Sequence, residues 1–123
     1  MSSSVRQFEA TDPFGRTWNV EFLWQQNAIS IRHADTIDCK FTLRDGSVKE
    51  ERVVALPHPL LKALAARLGR NLNDAWVMKL AAAHLRLLIE TGEDLEKALV
   101  TATAADLDKA NQSVDAARTA AAV

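Results

Sequence analysis

The chain has 123 residues, nearly half of them hydrophobic and a quarter charged, which is the mix of an ordinary globular domain. Fifteen basic side chains face sixteen acidic ones, so the formal net charge is -1 and a uniformly basic nucleic-acid binder is excluded. Only four glycines and three prolines are present, too few for a phosphate-cradling loop once turns and helix ends are supplied.

The first half reads as short strands separated by turn signals. A first strand is expected over residues 5–11. Asp12-Pro13-Phe14-Gly15 follows with Asp, Pro and Gly where a type I turn wants them. Residues 16–25 then alternate, with Trp18, Val20, Phe22 and Trp24 on one face and Thr17, Asn19, Glu21 and Gln25 on the other. Leu23 is the exception on the polar face.

Gln26-Asn27 reads as a two-residue hairpin loop, which pairs Trp24 with Ile29 and Phe22 with Ile31. A three-residue loop at Ala34-Asp35-Thr36 then pairs Ile31 with Cys39 and Ile29 with Phe41. A bulged continuous strand is the alternative. Asp45-Gly46 signals another hairpin. In the strand after it, about 47–55, a strict register places Glu50 and Arg52 on the core side, so a bulge or an edge position is expected.

Pro57-His58-Pro59 ends the strand pattern. Leu60, Leu61, Leu64 and Leu68 form an amphipathic stripe that Gly69 closes. Asn73 is the expected N-cap of a helix reaching Thr91 and stopped by Gly92. Its apolar residues, from Trp76 and Leu80 to Leu87 and Ile89, cover more than one stripe. Such a helix is buried on several sides or lies in an interface. A further helix is expected from Glu93 through Leu95, Leu99 and Val100, with a break near Thr101 because Thr103 and Asp106 make a second start signal. The last eleven residues, 113–123, are Ala-rich and expected to fray.

These readings give an α+β fold: an antiparallel meander of four or five strands over about 5–55, then about three helices over 59–112 on one face. Residues 1–112 are read as one domain and 113–123 as its tail.

Charge is unevenly spread. Residues 57–91 carry five basic and two acidic side chains, and residues 92–123 carry three and six. The acidic end is expected to lie against the basic helices. The sharper reading is a basic patch for an acidic partner, centred on Lys62, Arg67 and Arg70.

One cysteine, Cys39, allows no internal disulfide and points to a reducing compartment. The first residues hold no apolar stretch of signal-peptide length, and apolar runs reach only four residues. A cytoplasmic protein without membrane contact is therefore expected. His33, Asp35, Asp38 and Cys39 are ligand-type side chains, but strand parity separates Asp38 from Cys39, and no metal or other cofactor is expected. His84, on an apolar helix side, reads as a core histidine. No catalytic motif for nucleophilic, zinc-dependent or nucleotide chemistry is present.

The favoured function is a non-enzymatic interaction module that binds a protein partner or itself. Its contact residues would be Lys62, Arg67, Arg70 and Trp76, together with the edge strand 47–55. A homodimer through Trp76, Leu80 and Leu87 is the form expected for self-association. Two other classes are weighed. The helical pair around 60–90 has the Ala…Leu-Gly spacing of a helix-turn-helix, although the second helix lacks a polar recognition face. A small-ligand carrier or enzyme would instead use a pocket between sheet and helices lined by Trp18, Trp24 and His33.

Overall fold

The computed structural model describes residues 6–28, 35–93 and 97–122. The order of elements is β1 (Gln7–Thr11), β2 (Thr17–Ala28), β3 (Thr36–Asp45), β4 (Val48–Pro57), α1 (His58–Leu68), α2 (Asp74–Thr91), β5 (Leu99–Thr101) and α3 (Ala104–Ala122). The five strands form one sheet in the order β1-β2-β3-β4-β5, antiparallel except for the parallel β4–β5 pair. This is the expected α+β arrangement, a run of strands followed by helices.

Alternation explains the core. Phe8 and Ala10 of β1, Trp18 and Val20 of β2, Ile37, Cys39, Phe41 and Leu43 of β3, and Val54 and Leu56 of β4 are buried on one face of the sheet. Leu61 and Leu64 of α1 and Val77, Leu80 and Leu88 of α2 join them in one cluster. Helix α2 is buried on two sides because the sheet lies under it and α3 packs on its back. Helix α3 packs on α1 and α2, so the three helices lie on one side of the sheet as expected.

Local signals act where they were read. Gly15 N–H donates to the Asp12 carbonyl at 3.1 Å and closes the first turn. The Asn73 side chain accepts from Trp76 N–H and caps α2. Thr103 and Asp106 bond each other's backbone N–H groups at 2.9 and 3.2 Å, a reciprocal capping box that starts α3.

Register differs from expectation in the middle of the sheet. No hairpin forms at Gln26-Asn27. β2 runs on through both residues, and Asn27 pairs with Ile37. Phe41 pairs with Phe22 rather than Ile29, and Cys39 with Gln25 rather than Ile31. Residues 29–34, which held the intervening strand of the sequence reading, lie outside the described residues. The register shifts between Phe22 and Trp24, so Leu23 is the extra residue of a bulge. A bulge reverses the facing of every residue beyond it. Gln25 thereby comes to the core side, and Trp24 moves to the opposite face beside Lys40.

β4 carries no bulge. Its register with β3 is continuous from Asp45↔Val48 to Thr36↔Pro57, which leaves Glu50 opposite Leu43 and Arg52 opposite Phe41. The two charges meet each other at 2.5 Å, and the Glu50 side chain keeps contact with solvent. The helix expected through Leu99 and Val100 is a strand instead. Ala98 and Ala102 bond the β4 backbone at Val53 and Ala55, which gives this β-branched segment a ladder that a helix would forfeit. Helix α3 continues to Ala122, past the point where a frayed tail was expected.

Candidate functional site

α1 ends at Gly69, whose left-handed backbone (φ 66°) turns the chain sharply. Arg70 N–H reaches back to the Ala65 carbonyl at 3.0 Å, which fixes where the Arg70 side chain leaves the backbone. Three residues on, the Asn73 cap positions Trp76 in the first turn of α2. The outcome is a stack: the Arg70 guanidinium carbon lies 4.4 Å from the centre of the Trp76 ring. Trp76 is 2% exposed and lies beneath the guanidinium.

An open cleft of about 440 Å³ occupies this corner, lined by Leu68, Arg70, Asn71, Asn73 and Asp115. Among the described residues the Arg70 guanidinium has no hydrogen bond or ion pair, and its Nε is buried. Among the described residues neither the Trp76 Nε1–H nor the buried Asn111 Oδ1 has a hydrogen-bond partner. On the far wall Asn111 donates from Nδ2 to Asp115 at 3.3 Å, which orients that carboxylate.

The arrangement suits recognition of a planar anion. A guanidinium held over an indole keeps its donor fork pre-organised for a carboxylate. The adjacent N-terminus of α2 adds a partial positive charge. Asp115 opposes a doubly charged anion but accepts from an N–H donor. A segment with both a carboxylate and backbone N–H groups satisfies both walls.

Of the residues named for partner binding, the structure brings Arg70 and Trp76 together. Arg67 is engaged elsewhere, in an ion pair with Asp108 that ties α1 to the acidic α3. Lys62 is exposed on α1, five positions before Arg67 and so on a different side of that helix. Along β4, strand β5 covers Val53–Ala55. The stretch without it is Lys49-Glu50-Glu51-Arg52, four charges that discourage strand addition. Of the dimer surface expected on α2, Trp76 and Leu80 are buried within a single chain and Leu87 is half-buried.

No family model, curated protein or solved structure matches the chain.

The proposed Trp18, Trp24 and His33 pocket is not assembled as expected. Trp18 is buried in the core, where its Nε1–H donates to Asp12 at 3.3 Å. Trp24 stands on the other face of the sheet, and His33 lies outside the described residues. Asp38 and Cys39 point to opposite faces of β3, so the sequence cluster there does not converge on one point. Burial, and then the Asp38 and Asp74 charges, push the Cys39 thiol up to about 12, which leaves it protonated and inert at neutral pH. Its Sγ donates to Gln25 Oε1 at 3.7 Å, and Gln25 Nε2 donates onward to Asp74 at the start of α2. His84 is buried in α2. No helix among the described residues is long and apolar enough to cross a membrane.

The sequence named Arg70 and Trp76 but not their stack, nor the part played by Asp115. The Gly69 and Asn73 signals set the corner. Asp115 arrives only through the packing of α3, for which no local signal exists.

Proposed function

We propose that this protein is a small non-enzymatic interaction module of the cytoplasm that holds an acidic segment of a protein partner in the Arg70 cleft. The observation that carries the reading is the Arg70 guanidinium, stacked on buried Trp76 and without an anionic partner among the described residues. The partner's Asp or Glu carboxylate engages the guanidinium fork. Its backbone N–H donors meet Asp115 and the Asn71 and Asn73 side chains. Leu68 offers the apolar part of the contact. The cytoplasmic assignment is supported by the lone thiol, which allows no internal disulfide and is buried in this fold.

The test is a titration of the full chain with fluorescein-labelled octapeptides of Gly and Ser bearing two Glu, two Gln or two phosphoserine residues. Binding of the Glu peptide that weakens with salt and disappears in Arg70→Gln supports the reading. Equal binding of the Glu and Gln peptides, or an unchanged affinity in Arg70→Gln, rejects it. Tighter binding of the phosphoserine peptide would reject the carboxylate assignment.

A further inference from the structure

The face of the sheet opposite the helices carries one continuous cross-strand row. The registers place Trp24 beside Lys40, Lys40 beside Val53, and Val53 beside Leu99. The next row is Gln26, Asp38, Ala55 and Thr101. α1 and α2 pack on the other face, and among the described residues no helix covers this one. Trp24 is 39% and Leu99 56% exposed. The Leu23 bulge is what brings the indole here, with the Lys40 ammonium 5.7 Å from its centre.

We infer that this face is a self-association surface, occupied by a second copy of the chain. Area is the first argument. Strands ~4.8 Å apart and rising ~3.3 Å per residue give the five-stranded face on the order of 700 Å². A stable interface takes about 800 Å² from each partner. Layout is the second. Trp24, Val53 and Leu99 give the face accessible apolar area interleaved with charged residues, the mixed make-up of a non-obligate protein interface, while Ala55 is buried.

Charge is the third argument and selects the occupant. Lys40, Arg44 and Lys49 share the face with Glu21, Asp38 and Glu51. Mixed signs suit neither a polyanion nor an anionic lipid surface, whereas a second copy supplies the complement. A two-fold axis parallel to the sheet, midway between the two copies and crossing the strands between the two rows, sets Lys40 of each copy opposite Asp38 of the other. The same axis sets Val53 opposite Ala55, large against small. Lys40 is paired within its own chain with Glu51 at 3.0 Å, but an exposed pair of that kind holds weakly and rearranges at little cost.

The surface stands apart from the Arg70 cleft, which lies among the helices, so the two readings fail separately. Solution mass of the full chain is measured by sedimentation and light scattering over 1–300 µM. Trp18 and Trp76 are buried, so acrylamide quenching reads mainly Trp24. The expected result is a mass rising to twice that of the chain, with quenching of Trp24 reduced at least two-fold over the same range. Trp24→Glu or Leu99→Glu should raise the dimer dissociation constant more than ten-fold. Lys40→Asp and Asp38→Lys should each weaken it, and the two combined should restore it. Circular dichroism verifies that the variants are folded. A single-chain mass throughout the range overturns the inference. So does a dimer indifferent to Trp24→Glu and Leu99→Glu.

Discussion

The Arg70 guanidinium sits 4.4 Å over the ring of Trp76, and that pair joins the loop after α1 to the first turn of α2. Stacking of this kind contributes about 0.5–2 kcal/mol, more as the site is desolvated. Arg70→Ala should therefore lower unfolding stability by about that amount, read from urea denaturation. Arg70→Lys keeps the charge but loses the fork, so binding of an acidic peptide should fall more than stability does.

Asp12 organises the β1–β2 turn. Its Oδ1 accepts from Phe14 N–H and Arg16 N–H at 2.9 and 3.0 Å, and its Oδ2 from Trp18 Nε1–H at 3.3 Å. Burial works to raise this carboxyl's pKa, but the Arg16, Trp18 and Phe14 hydrogen bonds with the Arg16 charge outweigh it. The folded value lies below the ordinary 3.8. A lowered folded pKa contributes stability that is full above the unfolded value and is lost as pH falls through the folded one. Wild-type urea midpoints should thus drop on acidification below about pH 4. Asp12→Asn keeps an oxygen for the two backbone donors and should flatten that acid limb. An unchanged slope would show that other carboxylates dominate it.

Cys39 should resist thiol reagents while the protein is folded. At pH 8 an aromatic disulfide reagent should react with it only at the rate of unfolding, and at once in concentrated guanidinium. Because the folded thiol is held up at about 12, against 9.0 for an ordinary one, stability should decline as pH rises above 9. Fast labelling of the native chain would contradict its burial.

Phe41 is fully buried at the centre of β3, edge-on to Phe22 with ring centres 5.6 Å apart. Phe41→Ala should cost about 3–5 kcal/mol in chemical denaturation. That is a large part of the stability of a domain this size. A loss near 1 kcal/mol would mean that the site collapses around the smaller side chain, a relaxation the close-packed core is not expected to allow.

Gly92 ends α2 at φ 76°, and a methyl group there would come within 3.0 Å of Pro13 Cγ. Gly69 ends α1 at φ 66° with open space around it. Gly69→Ala should cost about 1–2 kcal/mol from the left-handed backbone alone. Gly92→Ala should cost more, because Pro13 belongs to the turn that Asp12 holds. Thermal unfolding of the two variants measures the difference, which is the energy of that helix-to-turn contact. Equal losses would mean that the turn gives way freely.

Much of the fold is legible residue by residue because its signals are short-ranged. Asp12-Pro13-Phe14-Gly15 encodes its own turn. Gly69 and Gly92 end helices, and Asn73 and the Thr103–Asp106 box begin them, through hydrogen bonds that close within a few residues. The alternation of Trp18 and Val20, and of Ile37 to Leu43, marks the buried face without reference to any partner strand. Of the candidate site, Arg70 and Trp76 were legible as residue types.

The rest depends on contacts between distant segments. The alternation of β2 reads as folding back at Gln26-Asn27, whereas the strand runs on to Ala28. Only pairing with β3 decides this, and the Leu23 bulge that comes with it turns Trp24 out of the core. Leu99–Thr101 is helical by its neighbours' preference and a strand because Val53 and Ala55 offer backbone partners. Asp115 reaches the Arg70 cleft because α3 lies along α2. A chain can write a turn into four residues, but a strand's facing is set by what it pairs with, and one inserted residue reverses it.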